Sequence, residues 1–330
     1  MKHLIVIKME EASPMANHVK SESPDLKPGT SPRLEPLPWE TPKPAEEDPE
    51  APQRLKKILA SPSYRQADQD LDFLYQDDLR FFRLQVDFLK AERLLVENRI
   101  KHSIVVFGGT RIKEPGGAKR KVEALQAVLE NRPDDPELKR KLAIAERIYA
   151  KSGFYNVARE FGRLVGQSGE GPTDCQCVIM TGGGPGMMEA ANRGAYDVDA
   201  KSVGLNINLP HEQFPNPYIT PDLCFRFHYF AMRKLHFLLR AKALVVFPGG
   251  YGTFDELFET LTLMQTRKIQ QVPVILVSEA YWKQAFNIDF LVDEGVIDIE
   301  DRDLFWYAET AEEIWQGILD WHKVNGKPLF

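Results

Sequence analysis

The nine residues Pro248-Gly-Gly-Tyr-Gly-Thr-Phe-Asp-Glu256 gather the groups from which a phosphate site with a nearby carboxylate is built. Gly249, Gly250 and Gly252 strip a turn of side chains between the apolar run Leu244-Val-Val-Phe247 and an amphipathic segment. The pattern is that of a buried strand, a bare turn and the first turn of a helix. Unpaired backbone N–H groups and the positive end of the helix dipole converge at such a point, and a phosphate is their natural occupant. Tyr251 lies within the turn, Thr253 adds a hydroxyl, and Glu256 sets a carboxylate about one turn into the helix. An acid there can simply complement the dipole, as can Asp255 beside it. Placed below a ribose ring and kept ionised by the dipole and a neighbouring arginine, the same carboxylate can stabilise an oxocarbenium-like transition state or orient an attacking water.

Two further stretches belong with this one. Arg233 and Lys234 interrupt an otherwise apolar helix, Tyr229–Arg240, and a basic pair in such a setting is expected to face a cleft holding anions. Arginine supplies a planar fork for phosphate or sugar hydroxyls, and lysine a point charge. Upstream, Gly182-Gly183-Gly184-Pro-Gly186 closes the strand Val178–Thr181 and opens a helix, which lets backbone approach a ligand closely. No Gly-Lys-Ser/Thr follows either glycine turn, which argues against a nucleoside triphosphatase loop. His211, His228 and His236 share no metal-ligand spacing, and Cys175-Gln-Cys177 finds no second Cys/His pair, so no metal is expected.

The elements that must position these groups follow in order. Residues 1–62 carry eleven prolines with Ser and Glu between them, which predicts a disordered tail in which neither helix nor sheet propagates. Leu71, Leu74, Leu79, Phe82, Val86, Leu89 and Leu94 then predict one long amphipathic helix over about 66–99, a helical extension spanning 63–100. From His102 onward strands alternate with helices, near 102–107, 178–181, 202–208, 224–227, 244–248 and 272–277. That alternation predicts one Rossmann-like α/β domain over 101–330, a parallel sheet with helices on both faces and its glycine turns at the carboxyl edge. Helices are expected near 120–131, 136–166, 281–294 and from Ala311 to about His322.

Apolar residues make up 43% of the 330-residue chain and the formal net charge is −6, which points away from nucleic-acid and membrane-surface binding. No apolar run approaches a membrane span, the first residues make no signal peptide, and three cysteines are too few for a disulfide framework. A soluble cytoplasmic protein is expected.

Taken together, Arg233-Lys234, Pro248-Gly-Gly-Tyr-Gly-Thr-Phe-Asp-Glu256 and Gly182-Gly-Gly-Pro-Gly186 resemble the LOG family of cytokinin-activating phosphoribohydrolases, often labelled lysine decarboxylases, over about residues 100–325. The form Gly204-Leu-Asn-Ile-Asn-Leu-Pro210 is similar to its larger bacterial members. The resemblance implies a homodimer or higher oligomer of dimers. It implies hydrolysis of the N-glycosidic bond of a nucleoside 5′-monophosphate, AMP or a cytokinin riboside monophosphate, without a cofactor. It makes Arg233 and Glu256 the catalytic pair, gives Gly250 to Thr253 to the phosphate with help from Lys234, and adds Glu212 and Thr262 as substrate contacts. A lysine decarboxylase would need a Schiff-base lysine and a partner for a pyridinium nitrogen, and no lysine here is marked for that role. The alternative is a non-catalytic carrier of a phosphorylated ligand, since the same fold resembles molybdenum-cofactor carriers. A third reading is a nucleotide-sensing partner protein acting through the tail.

Overall fold

Seven strands form one sheet in the order β4-β3-β2-β1-β5-β6-β7, and every neighbouring pair is parallel. The strands are β1 (His102–Phe107), β2 (Cys177–Thr181), β3 (Ser202–Ile207), β4 (Cys224–Phe227), β5 (Ala241–Val246), β6 (Val274–Val277) and β7 (Trp306–Ala308). The computed structural model describes residues 37, 40–171, 173, 176–210 and 214–329. It separates into two compact units, the first ending at Phe73 and the second beginning at Leu74.

In the first unit a helix, α1 (Ala51–Leu59), forms inside the stretch expected to be a tail. Its only proline after Ala51 is Pro52, in the first turn, where the missing N–H costs nothing because that group has no intrahelical acceptor. Most of the expected tail, residues 1–36, 38 and 39, lies outside the described residues. Arg54 pairs with Glu50 and Asp48 at the start of α1. A single turn, α2 (Leu71–Leu74), ends this region.

The long helix expected over 66–99 is shorter: α3 runs from Arg80 to Glu97, after a separate turn at Asp77–Leu79. Gln76 takes an extended conformation and breaks the run. In the same way the segment 136–166 is two helices, α5 (Pro136–Ala150) and α6 (Gly153–Gly166), parted where the Ser152 hydroxyl donates to the Tyr149 carbonyl at 2.6 Å. The helix expected over 281–294 is also two, α10 (Glu279–Ala285) and α11 (Ile288–Asp293), because the Asn287 side chain caps the second by accepting from Phe290 N–H. The remaining helices are α4 (Pro115–Glu130), α7 (Met187–Tyr196), α8 (Phe230–Leu239), α9 (Tyr251–Gln265) and α12 (Ala311–Val324). A capping box at Thr310 and Glu313 starts α12.

Alternation within the strands sorts side chains to two cores. Val105, Phe107, Met180 and Val246 meet Leu95 of α3, Phe237 of α8 and Leu257 of α9 on one face. Ile104, Val106, Ile179 and Val245 meet Phe161 of α6, Met187 of α7 and Ile314 of α12 on the other. The architecture is Rossmann-like, a parallel sheet between two helical layers. The extension helix α3 is part of one layer, with Leu95 fully buried.

α6 and α7 cross at two glycines. A Cβ on Gly162 would collide with the Ala191 carbonyl, and one on Gly194 with the Arg159 carbonyl. Gly194→Ala must therefore push two backbones apart, and a loss of about 3 kcal/mol is expected from such overpacking. A thermal melt should fall by about 6 °C or more; an unchanged melting temperature would show that the helices separate freely.

Candidate active site

In an open α/β sheet the crevice lies where the strand order reverses, beyond the carboxyl ends of the strands. Here that point is between β1 and β5. Phe247 N–H donates to the Phe107 carbonyl at 2.9 Å, and Gly109 N–H donates to the Pro248 carbonyl at 2.9 Å. The Gly108-Gly109 turn after β1 is thus tied directly to the turn after β5. On its other side Met187 N–H donates to the Gly109 carbonyl at 3.3 Å, which joins the Gly182–Gly186 turn to the same loop.

The turn after β5 has glycines for two reasons. A Cβ on Gly249 would collide with the buried Thr253 side chain, whereas Gly250 and Gly252 face open space. Thr253 N–H and Phe254 N–H both donate to the Gly250 carbonyl, at 2.9 and 3.1 Å. Tyr251 and Gly252, the first two helical residues, have N–H groups with no intrahelical acceptor. Tyr251 itself is 97% exposed, so its backbone and not its ring belongs to the turn. The Tyr281 hydroxyl donates to the Gly249 carbonyl and fixes the turn from α10.

The Gly182–Gly186 turn is held by a buried polar network. Thr181 Oγ1 donates to Asn192 Oδ1 at 2.7 Å and accepts from Gly183 N–H at 3.0 Å. Asn216 Nδ2 donates to the Gly184 carbonyl at 3.1 Å and to Asn192 Oδ1 at 3.0 Å, while its N–H donates to the Gly183 carbonyl at 2.9 Å. Gly183 and Gly186 have φ of 72° and 78°, where a Cβ is strained. A Cβ on Gly182 would meet the Arg233 guanidinium, and one on Gly183 the Asn206 amide. Asn206 Oδ1 is buried beside this turn with no partner among the described residues.

Arg233, on α8, enters this space. Its Nε donates to the Leu205 carbonyl at 2.7 Å and Nη2 to the Gly182 carbonyl at 3.5 Å, and its guanidinium carbon lies 5.1 Å from the Phe237 ring centre. Burial lowers its pKa, while the nearby Glu256 and Asp255 oppose that shift. Glu256 is 6% exposed. Burial pushes its pKa up to about 7 against the pull of Lys234 and Arg233, with Glu259 and Asp255 adding to the rise. The expectation that dipole and arginine keep it ionised is therefore corrected: desolvation outweighs both cations, and near neutrality the carboxyl is part protonated.

Lys234 is not directed at the glycine turn. Its Nζ pairs with Asp255 Oδ1 at 2.8 Å and Glu259 Oε2 at 2.9 Å. Burial works against its charge, but these two hydrogen bonds raise its pKa overall. Thr262 is exposed, and six residues beyond Glu256 it lies about 120° away around α9. Nothing among the described residues brings it to the cluster. Thr260 instead sits against Glu256, its buried hydroxyl donating to the Glu256 carbonyl at 2.8 Å. Glu212 and His211 lie outside the described residues. So Gly182, Gly183, Gly184, Arg233, Gly249 to Thr253 and Glu256 line one edge of the sheet, and Lys234 supports it from the side.

Sequence reasoning passed over Asn192, Asn206, Asn216 and Tyr281. Asn192 was detectable as a polar residue among the core-facing Ala190, Ala191 and Ala195, and it is fully buried. Asn216, in a Pro/Asn loop, looks like any turn residue until its amide is seen to bridge two chain segments. Among the described residues no group of three or more His, Cys, Asp and Glu is placed to hold a metal, and no helix is long and apolar enough to cross a membrane.

This arrangement is that of a doubly wound α/β protein with glycine-built turns at its switch point. Residues 188–318 match the family model described as possible lysine decarboxylase. The chain is similar to a probable cytokinin riboside 5′-monophosphate phosphoribohydrolase, LOGL3 of Oryza sativa subsp. japonica, with 28% identity over 149 residues, 42% of this chain and 65% of that protein. It is equally similar to the cytokinin riboside 5′-monophosphate phosphoribohydrolase LOG3 of Arabidopsis thaliana, with 28% identity over 142 residues, 42% of this chain and 64% of that protein. The chain spans less than two thirds of the length of these curated relatives. A solved structure described as that of TM1055, a structural-genomics target, aligns with a TM-score of 0.40 and 21% identity over 66% of this chain and 99% of the other. The stretch matched by the family model includes Arg233 and Glu256.

Proposed function

We propose that this protein hydrolyses the N-glycosidic bond of nucleoside 5′-monophosphates, of the AMP or cytokinin riboside type, to the free base and ribose 5-phosphate. The observation that carries this reading is the buried Glu256 beside Arg233 at the mouth of the Gly249–Gly252 turn, with its pKa pushed up to about 7. The free N–H groups at the start of α9 take the 5′-phosphate. The Glu256 carboxylate faces the ribose, lowers the energy of the positive charge that grows at C1′, and accepts a proton from the attacking water. Oxygen from water bonds to C1′ as the C–N bond breaks, and the base leaves with that electron pair and gains a proton. A carboxyl with a pKa near neutrality is well matched to moving that proton. The names of the relatives, which act on cytokinin riboside 5′-monophosphates, support the same substrate class. A mere carrier of a phosphorylated ligand gains nothing from a carboxyl buried beside its arginine.

The test is release of free base from a panel of nucleoside 5′-monophosphates, followed by chromatography. Since the ionised carboxylate is the working form, kcat/KM should rise with pH through an inflection near the Glu256 value of about 7 and fall off on the acid side. Binding of these nucleotides without release of base at any pH would leave the carrier reading in place.

A further inference from the structure

A second cleft, about 740 Å³, lies between α4 and α5 and is headed by the loop after β1. We propose that it is a binding site for a phosphorylated small molecule with a flat or apolar body, of the nucleoside di- or triphosphate class. None of its lining residues belongs to the candidate active site, and the proposal does not depend on the hydrolase reading.

Three observations carry it. Arg111, Lys113, Arg120, Lys121 and Lys141 line the cleft, and no Asp or Glu does. That is a cluster of five positive charges, one of them paired, on a chain whose formal net charge is −6. Three neighbouring carboxylates pair with cations outside it, and one of these also pairs with Lys141 of its lining. Glu114 pairs with Arg193 at 3.3 Å and Glu123 with Lys119 at 3.6 Å, while Glu137 pairs with Arg140 at 3.1 Å and reaches Lys141 at 3.5 Å. Arg111, Lys113, Arg120 and Lys121 have no carboxylate partner among the described residues. The exposed cations elsewhere on these helices are mostly paired, so four unpaired ones converging on one hollow are an exception that an anion would remove.

The floor supplies the second half of a ligand site. Leu125, Ala145 and Ile148 form an apolar wall with Ile144, which remains 41% exposed. Small-molecule sites combine such a wall with a few convergent polar groups in a volume of roughly 300–1,000 Å³. A monophosphate carries a charge of about −2 and would leave most of the cations unanswered. A di- or triphosphate answers more of them, through the guanidinium forks of Arg111 and Arg120 and the ammonium groups of the lysines. A hollow between two helices suits a compact ligand better than a polynucleotide, which needs a basic strip tracking its backbone. The loop at its head packs on both glycine turns: Gly186 has no room for a Cβ against Gly109 and Thr110, and Gly109 N–H donates to the Pro248 carbonyl. A ligand held by Arg111 and Lys113 therefore leans on the same loop as the candidate active site.

The probe is ATP carrying an N-methylanthraniloyl fluorophore on its ribose, titrated into the full chain at low ionic strength. The wild-type chain is expected to bind it, less tightly as salt is raised. Arg120→Glu with Lys121→Glu should weaken binding at least about tenfold, and so should Arg111→Gln with Lys113→Gln. Lys119→Glu with Lys139→Glu makes the same change in net charge as the Arg120→Glu, Lys121→Glu pair, but outside the cleft, and should shift binding by no more than about twofold. All these side chains are exposed, and a melting curve shows that each variant is folded. Arg233→Ala should leave probe binding intact. The proposal is overturned if the probe does not bind, if the control pair weakens it as much as the cleft pairs do, or if Arg233→Ala alone abolishes it. Displacement of the probe by single-stranded oligodeoxythymidine at lower concentration than by unlabelled ATP would give the cleft to nucleic acid and overturn it as well.

Discussion

Glu256→Gln is expected to lower base release from nucleoside 5′-monophosphates by roughly 10²- to 10⁴-fold, the usual worth of a proton-transferring side chain. Glutamine keeps the shape of the carboxyl but can neither accept the water's proton nor balance positive charge at C1′. Stability provides the control. The folded carboxyl has its pKa raised from 4.5 to about 7 by burial, so the folded state holds the proton more tightly than the unfolded chain does. The stability this gives is fully present below pH 4.5 and is lost as pH rises through about 7. The whole loss is on the order of 3 kcal/mol. The substituted amide does not titrate, so the Glu256→Gln variant should unfold at the same or a higher temperature than wild type at pH 8 and lose that part of the slope between pH 5 and 8. Activity lost together with a lower melting temperature at pH 8 would mean that Glu256 serves packing, and the catalytic reading would fail.

How much of this was legible depended on the kind of signal each residue leaves. Strand and helix alternation revealed the parallel sheet because apolar runs such as Ile104–Phe107 and Leu244–Phe247 must be buried on both faces. Helix ends were less legible. Gln76, Ser152 and Asn287 break three expected helices through single backbone or side-chain contacts that periodicity does not register. The helix Ala51–Leu59 is hidden by the proline density of the stretch around it, although only Pro52 falls inside it, at the position where proline is tolerated. Glycine spacing and the Arg233-Lys234 pair pointed to the sheet edge where the two glycine turns and Arg233 lie together. They did not separate the two cations. Only the structure shows Arg233 turned toward Gly182 and Lys234 turned to Asp255 and Glu259. Nor does a sequence report desolvation, and it is desolvation that moves Glu256 from an ionised dipole partner to a group titrating near neutrality.

That division of labour between neighbours makes Arg233 the second decisive position. Arg233→Ala should lower kcat/KM by about 10²- to 10³-fold, the cost of removing one fixed donor from a site of developing charge. Arg233→Lys should not restore it. The guanidinium donates simultaneously to the Leu205 and Gly182 carbonyls while lying against the Phe237 ring, and an ammonium has neither the planar fork nor the span to do so. The Gly182 position, where a Cβ would meet the guanidinium, shows that the backbone is shaped around this one side chain. Arg233 also lowers the Glu256 pKa, so its loss should move the acid inflection of kcat/KM above the wild-type value of about 7. A residue that only packed α8 against the sheet would change the melting temperature and leave that inflection in place. Wild-type kcat/KM in Arg233→Lys, or an alanine variant with an unmoved inflection, would remove Arg233 from the chemistry and leave Glu256 without its partner.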